Sequence, residues 1–598
     1  MLLRALRHRA LAPRTLPPRA LVRPSPSRVA WRALTTFSGP RSPPMLECTI
    51  GEMLEAVARE HPDQTALVAV EEDIRWTYHE VNAKVDAMAH ALRWMGLEKG
   101  DRFGAWLPNT GDYYLVQMAC AKIGAVLVNV NPAYRAHEFE FAMNLVQCKA
   151  ILITPTVHGT DYIQVLDSLL PELLSEASPM LHTEHVQPLS LQALPHLKYI
   201  LHDARDKTFP GMVALHDLIE HAGTRAAPPT PEISPDDVIN IQFTSGTTGT
   251  PKGAALTHRN LLNNGYFAGQ RCGYSTKDRV CIPVPLYHCF GVVLGNLACL
   301  AHASTAVYPS KQFNEVAALN AVEMEGCTSL YGVPTMFIRM LNSPTFHLER
   351  VKTLRTGIMA GAPCPIEIMQ EVLTFAPEMT IGYGMTETSP LSFQTRGDDA
   401  LDDRVATVGA LLPFVDAKVV DVEDASKELG PNQAGELMVK GYHIMQGYWD
   451  QPKETAKSIE DGWMHTGDIV AMDERGYCRI VGRSKDVIIR GGENIYPREI
   501  EEVLFAHPSV ANASVIGVPD KVYGEQVCAW VHLQDESTTS LDEMEAALRA
   551  HLAAELAHFK VPKYFLFKSE FPTTITGKIQ KFMMRDVTIA ELGLPTTV

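Results

Sequence analysis

The first 46 of the 598 residues contain no aspartate, glutamate or lysine, although they hold nine arginines; the first carboxylate is Glu47. No two cysteines stand in C-x-x-C spacing, and their total of eleven is odd and dispersed, which argues against both a disulfide framework and a zinc site. Such cysteines suit a reducing compartment, where a buried thiol behaves as a small hydrophobe. No apolar run approaches the ~20 residues of a membrane helix; the longest, near "GVVLGNLACLAHAS", is short and contains His302. No transmembrane segment is expected. The basic footprint of a nucleic-acid-binding protein is also missing: the net charge is −16, and the body stands at −25 once the nine leading arginines are set aside. A nucleotide site in so acidic a body needs local cations or Mg²⁺.

What is present is ordinary for a globular protein, with 46% apolar and 20% charged residues. The length predicts two to four domains of ~100–200 residues each. The arginine- and serine-rich start, without acids, has the composition of a mitochondrial transit peptide over residues 1–41, with cleavage between Arg32 and Arg41 and a matrix location.

After the leader, helical periodicity alternates with short β-branched runs. "TIGEMLEAVAREHP" has helical spacing, and "DYYLVQMACAKIGAVLVNVNP" reads as helix, glycine stop and strand. "KAILITP" and "LKYILHD" read as buried parallel strands, and "VINIQF" as an apolar, strand-like run. The alternation runs through "CTSLYGVPTMFIRML", "LRTGIMAGAP" and "MTIGYGMTETSP", predicting α/β architecture with parallel sheets. From about Val408 the texture becomes that of a small β unit. A boundary is expected near Arg483–Asp486, followed by an α+β pattern.

One stretch carries chemistry on its face: "TSGTTGTPKGAALTH", residues 244–258. It fails the Walker pattern, because Pro251 stands where the second glycine belongs and Gly253 replaces the Mg²⁺-binding hydroxyl. That disfavours a P-loop phosphotransferase. The logic of anion binding survives. Gly246, Gly249 and Gly253 free the backbone to aim N–H groups at an anion. Thr244, Ser245, Thr247, Thr248 and Thr250 supply hydroxyls, Pro251 follows, and Lys252 adds charge. Loops of this composition are ordinarily surface turns; six hydroxyl or lysine donors within nine residues, directly after a strand-like run, argue for a site.

"TSGTTGTPKG" resembles the signature of the adenylate-forming (AMP-binding) superfamily, which holds acyl-CoA synthetases, luciferases and carrier-protein adenylation domains. Further motifs follow in that family's order. "YGMTETSP" implies Tyr383 stacking on adenine, Thr386 on the α-phosphate and Glu387 on Mg²⁺. "HTGD" implies Asp468 on the ribose hydroxyls, for which a two-oxygen acceptor suits a diol. "GRSKD" implies Arg483 as a second ribose contact and Lys485 at the domain hinge. "TITGKIQK" implies Lys578 as the mobile catalytic lysine. Taken singly, each has a bland reading: a helix cap for Thr-Glu, a turn for the aspartate, solvated surface for the Arg-Lys-Asp cluster and an exposed lysine. Their order across some 330 residues overrides these.

The resemblance implies a large α/β N-terminal domain over residues 47–482, built from two α/β sheet subdomains and a small β-barrel-like subdomain. A hinge over 483–486 and a mobile α+β AMP-binding C-terminal domain over 487–598 complete it. It implies two half-reactions: carboxylate and ATP give acyl-AMP and pyrophosphate, then coenzyme A gives acyl-CoA and AMP. Gly491 and Gly492 of "RGGENIYP" would lie by the thiol tunnel. His288, Phe290 and Gly291 of "PLYHCFG" resemble the segment bordering the acyl pocket in acyl-CoA synthetases; a satisfied core histidine is the plain alternative. "FGVVLGNL" and "SLYGVPTMF" are expected to line that pocket without charge, which fits a fatty acid. Ile489 stands where luciferases keep a second lysine. The pattern points to medium-chain acids. A short-chain, branched or aromatic acid ligase, and a non-catalytic nucleotide-binding regulator, are the rival readings.

Overall fold

The computed structural model describes residues 36–157, 159–175, 186–226, 229, 231–244, 251–362, 364–534, 540–573 and 579–595. Two large mixed sheets, one small antiparallel sheet and a C-terminal sheet organise them.

In the eight-stranded sheet the six strands from Met212–Ala214 to Val238–Thr244 run parallel. Its last two, Lys252–Thr257 and Gly447–Tyr448, are antiparallel additions. The nine-stranded sheet has the same plan, five parallel pairings flanked by antiparallel strands. Parallel strands buried on both faces read as continuous apolar runs, and AILI at 150–153 is buried throughout. Helix Gly111–Ile123 begins on a Thr110 cap and stops at left-handed Gly124, after which the chain re-enters as strand Val126–Asn129. The helix, glycine stop and strand expected there are all present.

The small β unit is an antiparallel sheet of six strands, including Val415–Val420, Gly435–Gly441, Trp463–Met472 and Cys478–Arg483. Its edge corrects the sequence reading. Thr36–Ser38, inside the stretch read as leader, pairs with Asp416–Lys418, and Arg41 bridges Asp416 at 2.6 Å. The folded body therefore starts before Glu47. Basic composition masked a strand whose Phe37 packs on the main core. Most of the predicted leader, residues 1–35, lies outside the described residues.

The C-terminal sheet uses only residues 488–567 and packs under helices Pro497–Phe505 and Leu541–Glu555 around its own core. Between it and the small sheet lies the short turn Ser484–Asp486, in which Lys485 is exposed.

Two buried histidines make the fold acid-sensitive. Burial pushes His258 down to about 4 and His443 down to about 3. Both are depressed, so the unfolded chain takes up protons first, and stability present above pH ~6.5 falls as pH drops toward the folded values. A melting temperature measured at pH 5 is expected below that at pH 7, and His443→Gln is expected to flatten the difference. An equal slope in that variant would assign it elsewhere.

Candidate functional site

The described site lies where three sheets meet. Thr244 and Lys252 face each other at the open end of an antiparallel pair in the large sheet. Lys252 thus opens a strand. The glycine-rich loop between them, Ser245, Gly246, Thr247, Thr248, Gly249 and Thr250, lies outside the described residues, while Pro251 is described. The neighbouring strand Gly447–Tyr448 pairs with Ala254 and Ala255. This brings Lys252 Nζ to 5.0 Å from the Tyr448 ring and to 2.5 Å from Glu454 Oε2.

Tyr448 also reaches the second motif, donating its hydroxyl to Glu387 Oε1 at 2.8 Å. Burial, then the Glu387 charge, push the Tyr448 phenol up, so it keeps its proton and donates. Glu387 is 6% exposed, and among the described residues no cluster of three or more metal-ligating side chains surrounds it. One protein carboxylate suits Mg²⁺, which keeps several waters and takes other ligands from phosphates. Glu387 sits in the turn Thr386–Thr388, where Thr388 Oγ1 accepts from the Met385 N–H. The cap position of this turn is therefore Met385, neither Thr386 nor Glu387, and Thr388 makes only the return bond to its N–H. Thr386 lies beside the Cys289 thiol, which burial pushes up to about 12 against the opposing hydrogen bond from Thr386.

Gly384 has a steric reason to be glycine. A Cβ there would sit 1.8 Å from the Pro390 carbonyl oxygen, so the chain around the motif closes only without a side chain. Gly384→Ala is expected to cost at least the ~1–3 kcal/mol of an overpacked core and to lower the melting temperature by several degrees. An unchanged melting curve would mean that the turn moves aside freely.

Asp468 and Arg483 are direct partners across an antiparallel ladder. Arg483 Nε donates to Asp468 Oδ1 at 2.8 Å and the Tyr383 hydroxyl to Oδ2 at 2.5 Å. Asp468 is 4% exposed and lies inside its strand, so the bland turn reading does not hold. Burial opposes the Arg483 charge, but Asp468 beside it outweighs this and holds the guanidinium above its usual value. Burial, then Asp468, raise the Tyr383 phenol, which stays a donor. Each carboxylate oxygen has two acceptor sites, so capacity remains for a diol.

His288, Phe290 and Gly291 lie at the start of a buried helical segment. Residues Phe290–Leu297 form a wholly buried π-helix, a form that often marks functional sites. His288 Nδ1 accepts from the Phe290 N–H at 3.1 Å. At Gly291 a Cβ would meet the Pro285 carbonyl at 2.4 Å, so this glycine serves close backbone packing. Gln117 donates to the Val292 carbonyl and Asn296 to Gln117, at 3.0 and 2.8 Å, which satisfies buried polar groups around the π-helix. Tyr331, from "SLYGVPTMF", donates to the Leu294 carbonyl at 2.9 Å, so the two stretches expected to line a pocket do pack on one another. The nearby cleft of about 490 Å³ is lined by Pro285 and Tyr287 of "PLYHCFG", by Thr335 and Met336 of "SLYGVPTMF", and by Thr573 and the cations Lys311 and Arg339. Lys578 lies outside the described residues; Thr573 and Ile579, on either side of the segment that holds it, form an antiparallel bridge.

Gly491 and Gly492 both have positive φ, +60° and +89°, which glycine adopts without strain. The Gly491 N–H donates to the Tyr523 carbonyl at 2.8 Å. Ile489 beside them is 57% exposed. Tyr448 and Glu454 were missed by sequence reasoning: they reach the site from 61 and 202 residues away from their partners, and no local pattern announces them.

The chain belongs to the AMP-binding enzyme family, whose model matches residues 54–449, with the AMP-binding enzyme C-terminal domain matching 499–578. Among its relatives, the mitochondrial medium-chain acyl-CoA ligase ACSF2 of Danio rerio is 42% identical over 580 residues, covering 95% of this chain and 93% of that one. The human protein of that name is 39% identical, covering 91% and 88%. A Bacillus subtilis protein, YngI, is 42% identical over 92% of this chain and 99% of its own. Among solved structures, ATP-bound MatB from Rhodopseudomonas palustris superposes with a TM-score of 0.77 at 28% identity, covering 91% of this chain and 100% of that one. A Mycobacterium tuberculosis fatty acyl CoA synthetase gives 0.65 at 27%, covering 92% and 99%. Among the described residues no helix is long and apolar enough to cross a membrane.

Proposed function

We propose that the chain is an AMP-forming fatty acid–CoA ligase acting on medium-chain acids in mitochondria. The observation that carries the reading is the Tyr383–Asp468–Arg483 constellation around the buried Asp468 carboxylate, directly ahead of the turn Ser484–Asp486. It stands in a chain whose family and relatives activate carboxylic acids. Medium chain length is supported by the names of the ACSF2 relatives, and mitochondrial import by the arginine-rich start.

In this reading Asp468 and Arg483 orient the ribose, and Tyr383 packs against the adenine. Lys252, with Thr244 and the loop residues that follow, holds the β- and γ-phosphates. Thr386 donates to the α-phosphate. Glu387 would hold Mg²⁺, which when bound neutralises phosphate charge as the acid's carboxylate approaches. Two anions must meet in line, so the chain's task is positioning and charge compensation. Lys578 stabilises the charge developing at the α-phosphorus. The C-terminal domain then turns about Lys485, brings Gly491 and Gly492 toward the pantetheine arm, and lets the coenzyme A thiol attack the acyl-adenylate.

The test uses the chain from Thr36 onward with Mg-ATP, coenzyme A and straight-chain acids of graded length, scoring AMP and acyl-CoA by mass spectrometry. Acid-dependent AMP and acyl-CoA peaking at medium length is the expected outcome. A peak with branched or aromatic acids would move the substrate assignment, and ADP as product would sink the mechanism.

A further inference from the structure

We propose that Glu454 is a positioning residue that acts as a reversible latch on Lys252, competing with pyrophosphate for this lysine and so promoting pyrophosphate release. The idea rests on the ligase reading for the statement that Lys252 meets the phosphates.

The geometry is specific. Glu454 lies in the first turn of helix Pro452–Ser458, which follows directly on the strand holding Tyr448. The hairpin is locked: the Tyr448 N–H donates to Thr455 Oγ1 at 2.9 Å, and a Cβ on Gly447 would meet Thr455 at 2.8 Å. Glu454 is thereby held at a set position opposite Lys252. Its two oxygens serve two cations, Oε2 taking Lys252 at 2.5 Å and Oε1 taking Lys457 at 2.7 Å. Those two lysines, Lys252 first, push Glu454 down to about 2, so it is anionic at any working pH.

Four features make the contact exchangeable. The Lys252 and Glu454 side chains keep 16% and 31% of their exposure, so the pair is screened and weak. Pyrophosphate carries more charge than one carboxylate and wins the lysine when present at high occupancy. When Lys252 leaves, Glu454 retains Lys457 and is not left as a bare anion. The Tyr448 ring under Lys252 gives the ammonium a surface to swing across, and its hydroxyl keeps Glu387 in place during the swing. After adenylation, Glu454 recaptures Lys252, and pyrophosphate loses a cation.

The experiment is calorimetric binding of magnesium pyrophosphate to the unreacted enzyme, with ATP KM measured alongside. Glu454→Gln removes the competitor at constant shape, and pyrophosphate affinity is expected to rise about two- to five-fold, in line with exposed pairs. ATP KM is expected to fall while the KM for the acid stays put. Lys457→Ala leaves Glu454 with Lys252 alone and is expected to weaken pyrophosphate binding, by more in the wild-type background than in Glu454→Gln. Unchanged or weakened pyrophosphate binding in Glu454→Gln overturns the latch and leaves a static surface pair. Wild-type enzyme that binds no pyrophosphate overturns both latch and ligase reading. Enzyme that binds pyrophosphate yet makes no acyl-CoA overturns the ligase reading alone, and the two variants still decide the latch.

Discussion

Replacing Asp468 with asparagine is expected to lower kcat/KM for ATP by about 150- to 5000-fold, the ~3–5 kcal/mol of breaking a largely buried charge pair. The carboxylate is almost wholly buried and accepts from two donors on different strands, Tyr383 and Arg483. Asparagine keeps the volume but turns one oxygen into a donor. The NH₂ can turn to the Tyr383 oxygen, which accepts, while Oδ1 stays on the Arg483 N–H, so what is lost is the charge and one of the two acceptor oxygens that a ribose diol needs. Arg483 loses its counter-charge in the same step. The defect should fall on ATP, with the KM for the acid little changed. Steady-state kinetics with each substrate varied decides this; a drop below about three-fold would remove Asp468 from the nucleotide site.

Glu387→Gln is expected to reduce kcat by about 100- to 1000-fold, the scale of losing a preorganised electrostatic group, and to shift the Mg²⁺ requirement upward. The fold should survive, because glutamine can still accept the Tyr448 hydroxyl that Glu387 Oε1 accepts. Glu387→Ala also frees Tyr448 and should melt earlier than Glu387→Gln. The comparison separates charge from scaffold. If both variants melt alike and keep full activity at saturating Mg²⁺, Glu387 holds Tyr448 and nothing more.

The parts of the site legible in the sequence are those whose residues lie close together in the chain. Lys252 follows its loop directly, and Glu387 sits four residues after Tyr383. Asp468 and Arg483 are fifteen apart because one hairpin joins their strands. The alternation of helical and β-branched runs likewise carried most of the α/β plan. Elsewhere local signals misled. A basic, proline-rich start concealed strand Thr36–Ser38, whose partner is Asp416–Lys418.

Sequence alone settled which chemical groups the chain carries and the order in which they come, because hydroxyls, glycines and carboxylates in a short run keep their mutual distances in any fold. Tertiary structure alone decided which groups are held and by what. Glu454 meets Lys252, and Tyr448 meets Glu387, only because strand Gly447–Tyr448 is the last strand added to the sheet beside Lys252–Thr257. That pairing is set by packing across some two hundred residues, a distance over which no local spacing constrains two side chains.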